Sequence, residues 1–375
     1  MRVLAFGAGA VGSLLGGRLA ASGHQVVLLA RAPHARAVSD RGLEIRGPGD
    51  EVLRARPGAE ADPARALQAL GRPDLVLFTV KGYDVPAAAG ELARALSALL
   101  PGGAGAKGGG GGPAGLPWVL VMANGVGHEE VVSQAVGRDR VLAGALTAST
   151  TLPEPGVVVQ HTRGGLALAP MRGCPAGPDL AVLAGHLGTA GFRVRLAPDH
   201  LTLKWSKLML NLWTNATCAI LDLSPSQVFF HPRVFALERE AFREGLRVMR
   251  RLGAQRFDFP GGPLRLLAAL SSLPGPLLRR LMARRGAAGR GAKLPSLLID
   301  IRAAKRRSEV GFLNGAIARK ARELGLRAPV NAALFRVLDG MFQGRVGREE
   351  FRGQPQRLLE EVARQRASWP ADPGA

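Results

Sequence analysis

The 375-residue chain is poor in several residue types, and each shortage removes a class of protein. Its two cysteines, Cys174 and Cys218, lack metal-type spacing and give no disulfide framework, which fits a reducing compartment. One tyrosine, four tryptophans and 13 phenylalanines leave little with which to stack nucleic-acid bases. No apolar run reaches the roughly 18 residues of a membrane span. An apolar strand pattern starts at Arg2, leaving no stretch for a signal or transit peptide. The expectation is a cytoplasmic protein of two domains, since the length suffices for two cores.

Acidic residues are also scarce, 29 against 50 basic ones, for a net charge of +21. Only seven of the basic residues are lysine, and the arginines are spread through an Ala/Gly/Pro-rich chain. One cluster is local: Arg279, Arg280, Arg284, Arg285, Arg290 and Lys293, then Lys305, Arg306 and Arg307. Without interleaved aromatics it reads as a solvated helical face or a rim that attracts anionic ligands. No nucleic acid and no membrane are expected as partners.

What the chain does have is written in its first thirty residues, "MRVLAFGAGAVGSLLGGRLAASGHQVVLLAR". A short apolar run meets Gly7, Gly9 and Gly12, helical spacing follows to Gly23, and a second apolar run ends at Arg31. Strand, glycine turn, helix and strand make one βαβ unit, with the three glycines giving a tight turn, room for a pyrophosphate, and close helix–strand packing. The phosphates would sit at the helix N-terminus, where unpaired N–H groups point outward, which makes Gly7, Ala8, Gly9, Ala10, Val11 and Gly12 the expected cofactor-binding residues. An NAD site would place a carboxylate at the end of the second strand, to bond the ribose hydroxyls. Here Arg31 stands there, followed by His34 and Arg36, and a guanidinium suits a 2′-phosphate. The cofactor expected is NADPH/NADP+.

Further strands are expected at "PDLVLFTVKGYDV", ending at Lys81, and at "WVLVMANGVG", running into Asn124. Both end where an α/β sheet binds ligands. The glycine-rich stretch 101–117 reads as a surface insertion. Beyond about residue 200 strand patterns disappear. The fold class expected is α/β: an N-terminal Rossmann-type doubly wound domain, 1–199, plus a C-terminal all-helical substrate and dimerisation domain, 200–368. A homodimer is left open. The helical half begins with "LTLKWSKLMLNLWTNATCAIL", read as one helix apolar nearly all round. On such a helix Lys207, Asn211 and Asn215 would share one stripe, and polar groups there are costly unless satisfied. Later, "KLPSLLIDIRAAKRRSEVGFLNG" offers Ser296, Asp300, Glu309 and Asn314, with helix capping as the plain role of Ser296 or Ser308.

These pieces together resemble the ketopantoate reductase family, whose members reduce 2-dehydropantoate. The resemblance rests on "GAGAVG" at 7–12, Arg31, "VKGYD" at 80–84, "ANGVG" at 123–127 and "KWSKLMLNLWTN" at 204–215. It continues in "PSLLIDI" at 295–301, "SEVGFLNG" at 308–315 and "APVNAAL" at 328–334. It implies that Lys207 is the catalytic general acid and that Asn211, Asn215 and Ser296 bind substrate. It implies that Lys81 and Asn124 lie where cofactor and substrate meet, that Arg31 contacts the 2′-phosphate, and that Glu309 serves the cofactor and substrate side. The chain departs from the family in one spacing: Glu309 follows Asp300 one residue later than is common. On a continuous helix that residue would turn Glu309 by about 100°. The chemistry implied is reduction of a small 2-oxo acid by NADPH, with no metal. The alternatives are another 2-oxo acid, a β-hydroxy acid or opine, or a non-catalytic NADP-binding role.

Overall fold

The computed structural model describes residues 1–99, 116–174, 180–285 and 294–369. The chain forms two compact units. One comprises Met1–Lys204 with Phe259–Gly262, the other Trp205–Asp258 with Pro263–Ala375.

The first unit begins with β1 (Arg2–Phe6), α1 (Ala10–Ala21), β2 (Gln25–Leu29), α2 (Ala32–Arg41), β3 (Leu43–Arg46), β4 (Val52–Ala55) and β5 (Gly58–Glu60). It continues with α3 (Pro63–Leu70), β6 (Leu75–Phe78), α4 (Val85–Leu99), β7 (Trp118–Val121) and α5 (His128–Val136). Then come β8 (Val141–Leu146), β9 (Thr150–Glu154), β10 (Val157–Gln160), β11 (Leu166–Pro170), α6 (Leu180–Thr189) and β12 (Val194–Leu196). Eight strands form one sheet in the order β12-β11-β8-β7-β6-β1-β2-β5. All neighbours in it are parallel except β8 and β11. The apolar runs expected to be buried parallel strands are buried: Val3–Phe6, Val26–Leu29, Leu75–Phe78 and Val119–Val121. Chain order reverses at β1, which has β6 on one side and β2 on the other, so the glycine turn after β1 lies at the switch point where such sheets bind ligands.

A second sheet was not foreseen. It has the order β4-β3-β10-β9, and its central pair, β3 and β10, is parallel although more than a hundred residues separate the partners. It explains the paired glycines in α1. A Cβ on Gly16 would stand 2.6 Å from Leu28 in the main sheet, and one on Gly17 would stand 2.5 Å from Leu43 in the small sheet. The helix is therefore packed on both faces, which is why it is apolar almost all round.

The strand expected to reach Lys81 stops at Phe78. The Thr79 amide still donates to Phe6 O, but its hydroxyl donates to Gly7 O at 2.9 Å, and a short 3₁₀ turn follows at Gly82–Asp84. Likewise β7 ends at Val121, leaving Asn124 in the loop before α5. The insertion at 101–117 falls almost wholly outside the described residues, as do Arg290 and Lys293 of the basic cluster.

The helical half consists of α7 (His200–Leu212), α8 (Asn215–Leu221), α9 (Pro225–Phe230), α10 (Pro232–Arg251) and α11 (Leu264–Leu270). They are followed by α12 (Gly275–Arg285), α13 (Ser296–Arg302), α14 (Asn314–Glu323), α15 (Pro329–Phe342) and α16 (Pro355–Ser368). The boundary between the units falls within α7, after Lys204. The single helix expected over 201–221 is broken at Thr214, a β-branched residue at φ +61. Two contacts hold it there. Its amide donates to the buried Glu238 carboxylate at 2.7 Å, and Trp213 packs among Phe229, Phe235 and Phe242. Among the described residues no helix is long and apolar enough to cross a membrane.

Three helices in this half share a device. The residues before α8, α13 and α15 provide no capping side chain, yet N-terminal amides need acceptors. Other helices supply them: Glu238 takes Thr214 N–H, Asn215 Oδ1 takes Leu297 N–H, and Glu244 takes Val330 and Asn331 N–H. Asn331 in turn donates through Nδ2 to Ala241 O and to Glu244.

Candidate active site

The glycine loop comes first. Gly7 sits at φ +90, and a Cβ there would meet Val80 Cγ1 at 2.5 Å and Val80 N at 3.0 Å. A Cβ on Gly12 would meet Thr79 Oγ1 at 2.4 Å. These two glycines let the end of β6 press against the loop. Gly9 is different: beside it a Cβ would find nothing nearer than Gly7 O at 4.0 Å. Its openness is what a pyrophosphate approaching the backbone requires.

The first hydrogen bond inside α1 is Ser13 N–H to Gly9 O, so the amides of Ala10, Val11 and Gly12 precede the helix's own acceptors. Gly9 supplies no capping oxygen and the first turn holds no acidic side chain. Those three amides fit an anion, whereas the amides of Gly7 and Ala8 already donate to Leu29 O and that of Gly9 to Gly7 O, so they are not phosphate donors as expected. Arg31 follows β2, is exposed, and takes the position just before α2. The amide donors fit the phosphates of a dinucleotide.

His34 does not join them. It is buried, and its ring lies between Ser13 Oγ, 2.9 Å from Nε2, and the Gly156 amide, which donates to Nδ1 at 3.0 Å. Because Nδ1 accepts, Nε2 carries the proton and donates to Ser13, whose hydroxyl donates to Ala8 O at 3.2 Å. Burial holds the ring's pKa below its usual value, so it stays neutral. His34 thus ties the back of the glycine loop to the β9–β10 turn. With Thr79 it was missed as a contributor to the loop; only the assembled sheet brings these residues to it.

Lys81 and Asn124 are both exposed and follow neighbouring strands, β6 and β7. Behind Asn124, His128 Nε2 donates to Asn124 O at 2.9 Å and Lys204 Nζ donates to Ala123 O at 2.6 Å.

In the helical unit, Lys207 and Asn211 are partly exposed on α7. Asn215 does not continue their stripe, because the Thr214 break intervenes; it is buried and caps α13. Ser296 is exposed as the first residue of α13, and the cap at that helix start comes from Asn215 instead. Ser308 does bond locally, accepting from Val310 N–H. Glu309 is buried beside that turn. The helix carrying Asp300 ends at Arg302, and Ala304 turns the chain at φ +52. Asp300 and Glu309 therefore share no helix, and the expected 100° rotation has no helix on which to act. The structure brings Asn215 to the start of α13, with Ser296, and leaves Glu309 on a separate turn. Among the described residues no group of His, Cys, Asp and Glu could hold a metal ion.

A glycine loop at the switch point of a parallel sheet, followed by a helical unit, defines a two-unit Rossmann-type dinucleotide-binding protein. Residues 3–173 match the family ketopantoate reductase PanE/ApbA, and residues 199–342 match its C-terminal part. The chain belongs to the ketopantoate reductase family, whose members are nicotinamide-dependent oxidoreductases. A 2-dehydropantoate 2-reductase of Pyrococcus horikoshii is 27% identical over 338 residues, covering 89% of this chain and 95% of that protein. A solved PanE/ApbA family ketopantoate reductase from Ralstonia eutropha shares 28% identity at a TM-score of 0.71, with 92% and 99% covered. A D-mandelate dehydrogenase solved with NADH and anilino(oxo)acetate shares the fold, at 20% identity and a TM-score of 0.69, with 92% and 99% covered.

Proposed function

We propose that this protein reduces 2-dehydropantoate to pantoate with NADPH in the cytoplasm, as a step in pantothenate formation. The observation carrying this reading is that both halves of the chain match the two parts of one reductase family. Residues 1–199 are the cofactor domain in this reading and 200–368 the substrate domain. The amides of Ala10, Val11 and Gly12 hold the pyrophosphate, and Arg31 holds the 2′-phosphate. The reduced nicotinamide supplies the hydride. Lys207 polarises the 2-oxo group and gives its proton to the alkoxide oxygen. Asn124, Asn211 and Ser296 offer hydrogen bonds to the carboxylate and carbonyl. Asn215 has one function in hand, its oxygen being used by Leu297, so the role left for it is through its amide hydrogens. Lys81 adds positive charge near the nicotinamide, and Glu309 accepts from a substrate or ribose hydroxyl.

A second reading, a different 2-oxo acid, is favoured by the separate placement of Asp300 and Glu309 and by the D-mandelate dehydrogenase that shares the fold. NADPH oxidation against a panel of 2-oxo acids tests both. Turnover highest with 2-dehydropantoate, with NADPH preferred over NADH and that preference lost in Arg31→Asp, supports the first. Turnover confined to acids without a 4-hydroxyl supports the second. A buried hydroxyl–carboxylate bond is worth roughly 1.5–3 kcal/mol. Glu309→Gln should therefore raise KM for 2-dehydropantoate about tenfold or more and leave acids without the hydroxyl unchanged.

A further inference from the structure

Lys204 is 3% exposed and Glu129 is 1% exposed. Two charges taken out of water are costly unless attraction and directed bonds offset the loss. The Lys204 ammonium has three partners: Ala123 O at 2.6 Å, Gly144 O at 3.2 Å and Glu129 Oε1 at 2.9 Å. They come from three places in the first unit, the loop after β7, the middle of β8 and the first turn of α5. Ala123 and Glu129 bracket the segment Asn124–His128. That segment turns through Gly125 at φ +95 and Gly127 at φ +92, so its backbone has little stiffness of its own. His128 adds a second hold. Burial and the neighbouring Lys204 charge push its pKa down to about 4, so at neutral pH it is an uncharged donor to Asn124 O. Two successive carbonyls, those of residues 123 and 124, are each gripped by a buried side chain, while the Asn124 side chain itself is exposed.

We propose that Lys204 and Glu129 are positioning residues for the reductase reaction, their ion pair fixing the direction in which the loop presents Asn124. The proposal rests on the reading of Asn124 as a residue at the cofactor and substrate. Two apolar side chains of similar volume would fill the same space without the desolvation cost. What they could not do is hold Ala123 O and Gly144 O by directed bonds.

The test compares the wild type with Lys204→Met/Glu129→Leu, Glu129→Asp and Asn124→Ala, measuring melting temperature, NADPH Kd, and kcat and KM for 2-dehydropantoate. In the double variant the melting temperature should stay within a few degrees and NADPH Kd within about twofold, while kcat falls about tenfold or more. Wild-type kcat in the double variant would overturn the proposal. So would a loss of NADPH binding that matches the loss of kcat, since the pair would then serve only the fold. If the double variant does not fold, Glu129→Asp decides. It keeps the charge at shorter reach, so a drop in kcat at unchanged melting temperature supports positioning, and unchanged kinetics reject it. Asn124→Ala separates the two levels: full turnover there would overturn the reading of Asn124 itself, and the proposal with it.

Discussion

The glycine loop and the helical half solve the same physical problem, unpaired amides at helix starts, in opposite ways. At α1 the amides of Ala10 to Gly12 are left without a protein cap. At α13 and α15 first-turn amides are closed by buried oxygens from other helices, Asn215 and Glu244, and just before α8 the Thr214 amide is taken by Glu238. A start left open fits a ligand, whereas a start closed from afar fixes how helices assemble. The difference separates residues that bind from residues that hold the fold, and it can be attacked from both ends.

The largest effect should come from the residue proposed as proton donor. Lys207→Ala should lower kcat by roughly 10²–10⁴ with NADPH binding nearly intact, as steady-state kinetics and cofactor titration would show. Near-normal turnover would remove its role as proton donor.

Next come the two glycines that differ in surroundings. Gly12→Ala pushes a methyl into Thr79 Oγ1, so both the melting temperature and NADPH affinity should fall, the latter about tenfold or more. Gly9→Ala meets open space in the protein, so the melting temperature should hold while NADPH affinity drops. Equal melting losses in both would contradict the open-start account.

The distant caps predict a pH signature. Burial pushes the Glu238 and Glu244 carboxyls up to about 7. A folded-state pKa above the unfolded one means the native state holds extra protons between about 4.5 and 7. Their contribution is therefore full below about 4.5 and is lost as pH rises through 7, on the order of 3 kcal/mol for each at most. Urea unfolding at stepped pH should show that decline, and Glu238→Gln should flatten it by one proton. An unchanged slope would mean that Glu238 titrates normally. The smallest effect belongs to Asn215→Ala, which removes the α13 cap at a cost of about 1 kcal/mol. Calorimetry would detect it.

Much of this was legible in the sequence, for reasons that are local. The βαβ unit, the arginine closing β2 and the helical second half are written in spacings of two to four residues. The small sheet was not legible, because β3 and β4 are short and charged, as in "LEIR", and β3 finds its parallel partner at β10. Nor was the break before Asn215, since Thr214 is neither glycine nor proline and is held left-handed by Glu238 and aromatic packing. The same holds at Ala304, whose turn no residue type announces and which places Asp300 and Glu309 on different elements. Of the candidate site, the glycine turn could be read from its spacing, whereas its contacts with Thr79 and His34 and the supports of Asn124 required the folded chain.

The two-sided packing of α1 has a consequence for redesign. With Gly16 against Leu28 on one face and Gly17 against Leu43 on the other, the helix is wedged and cannot slide to suit a differently seated phosphate. An engineer wishing to exchange the coenzyme would gain nothing by reshaping that helix. With Arg31 in its proposed role, the adjustable end is the exposed turn that carries it, before α2.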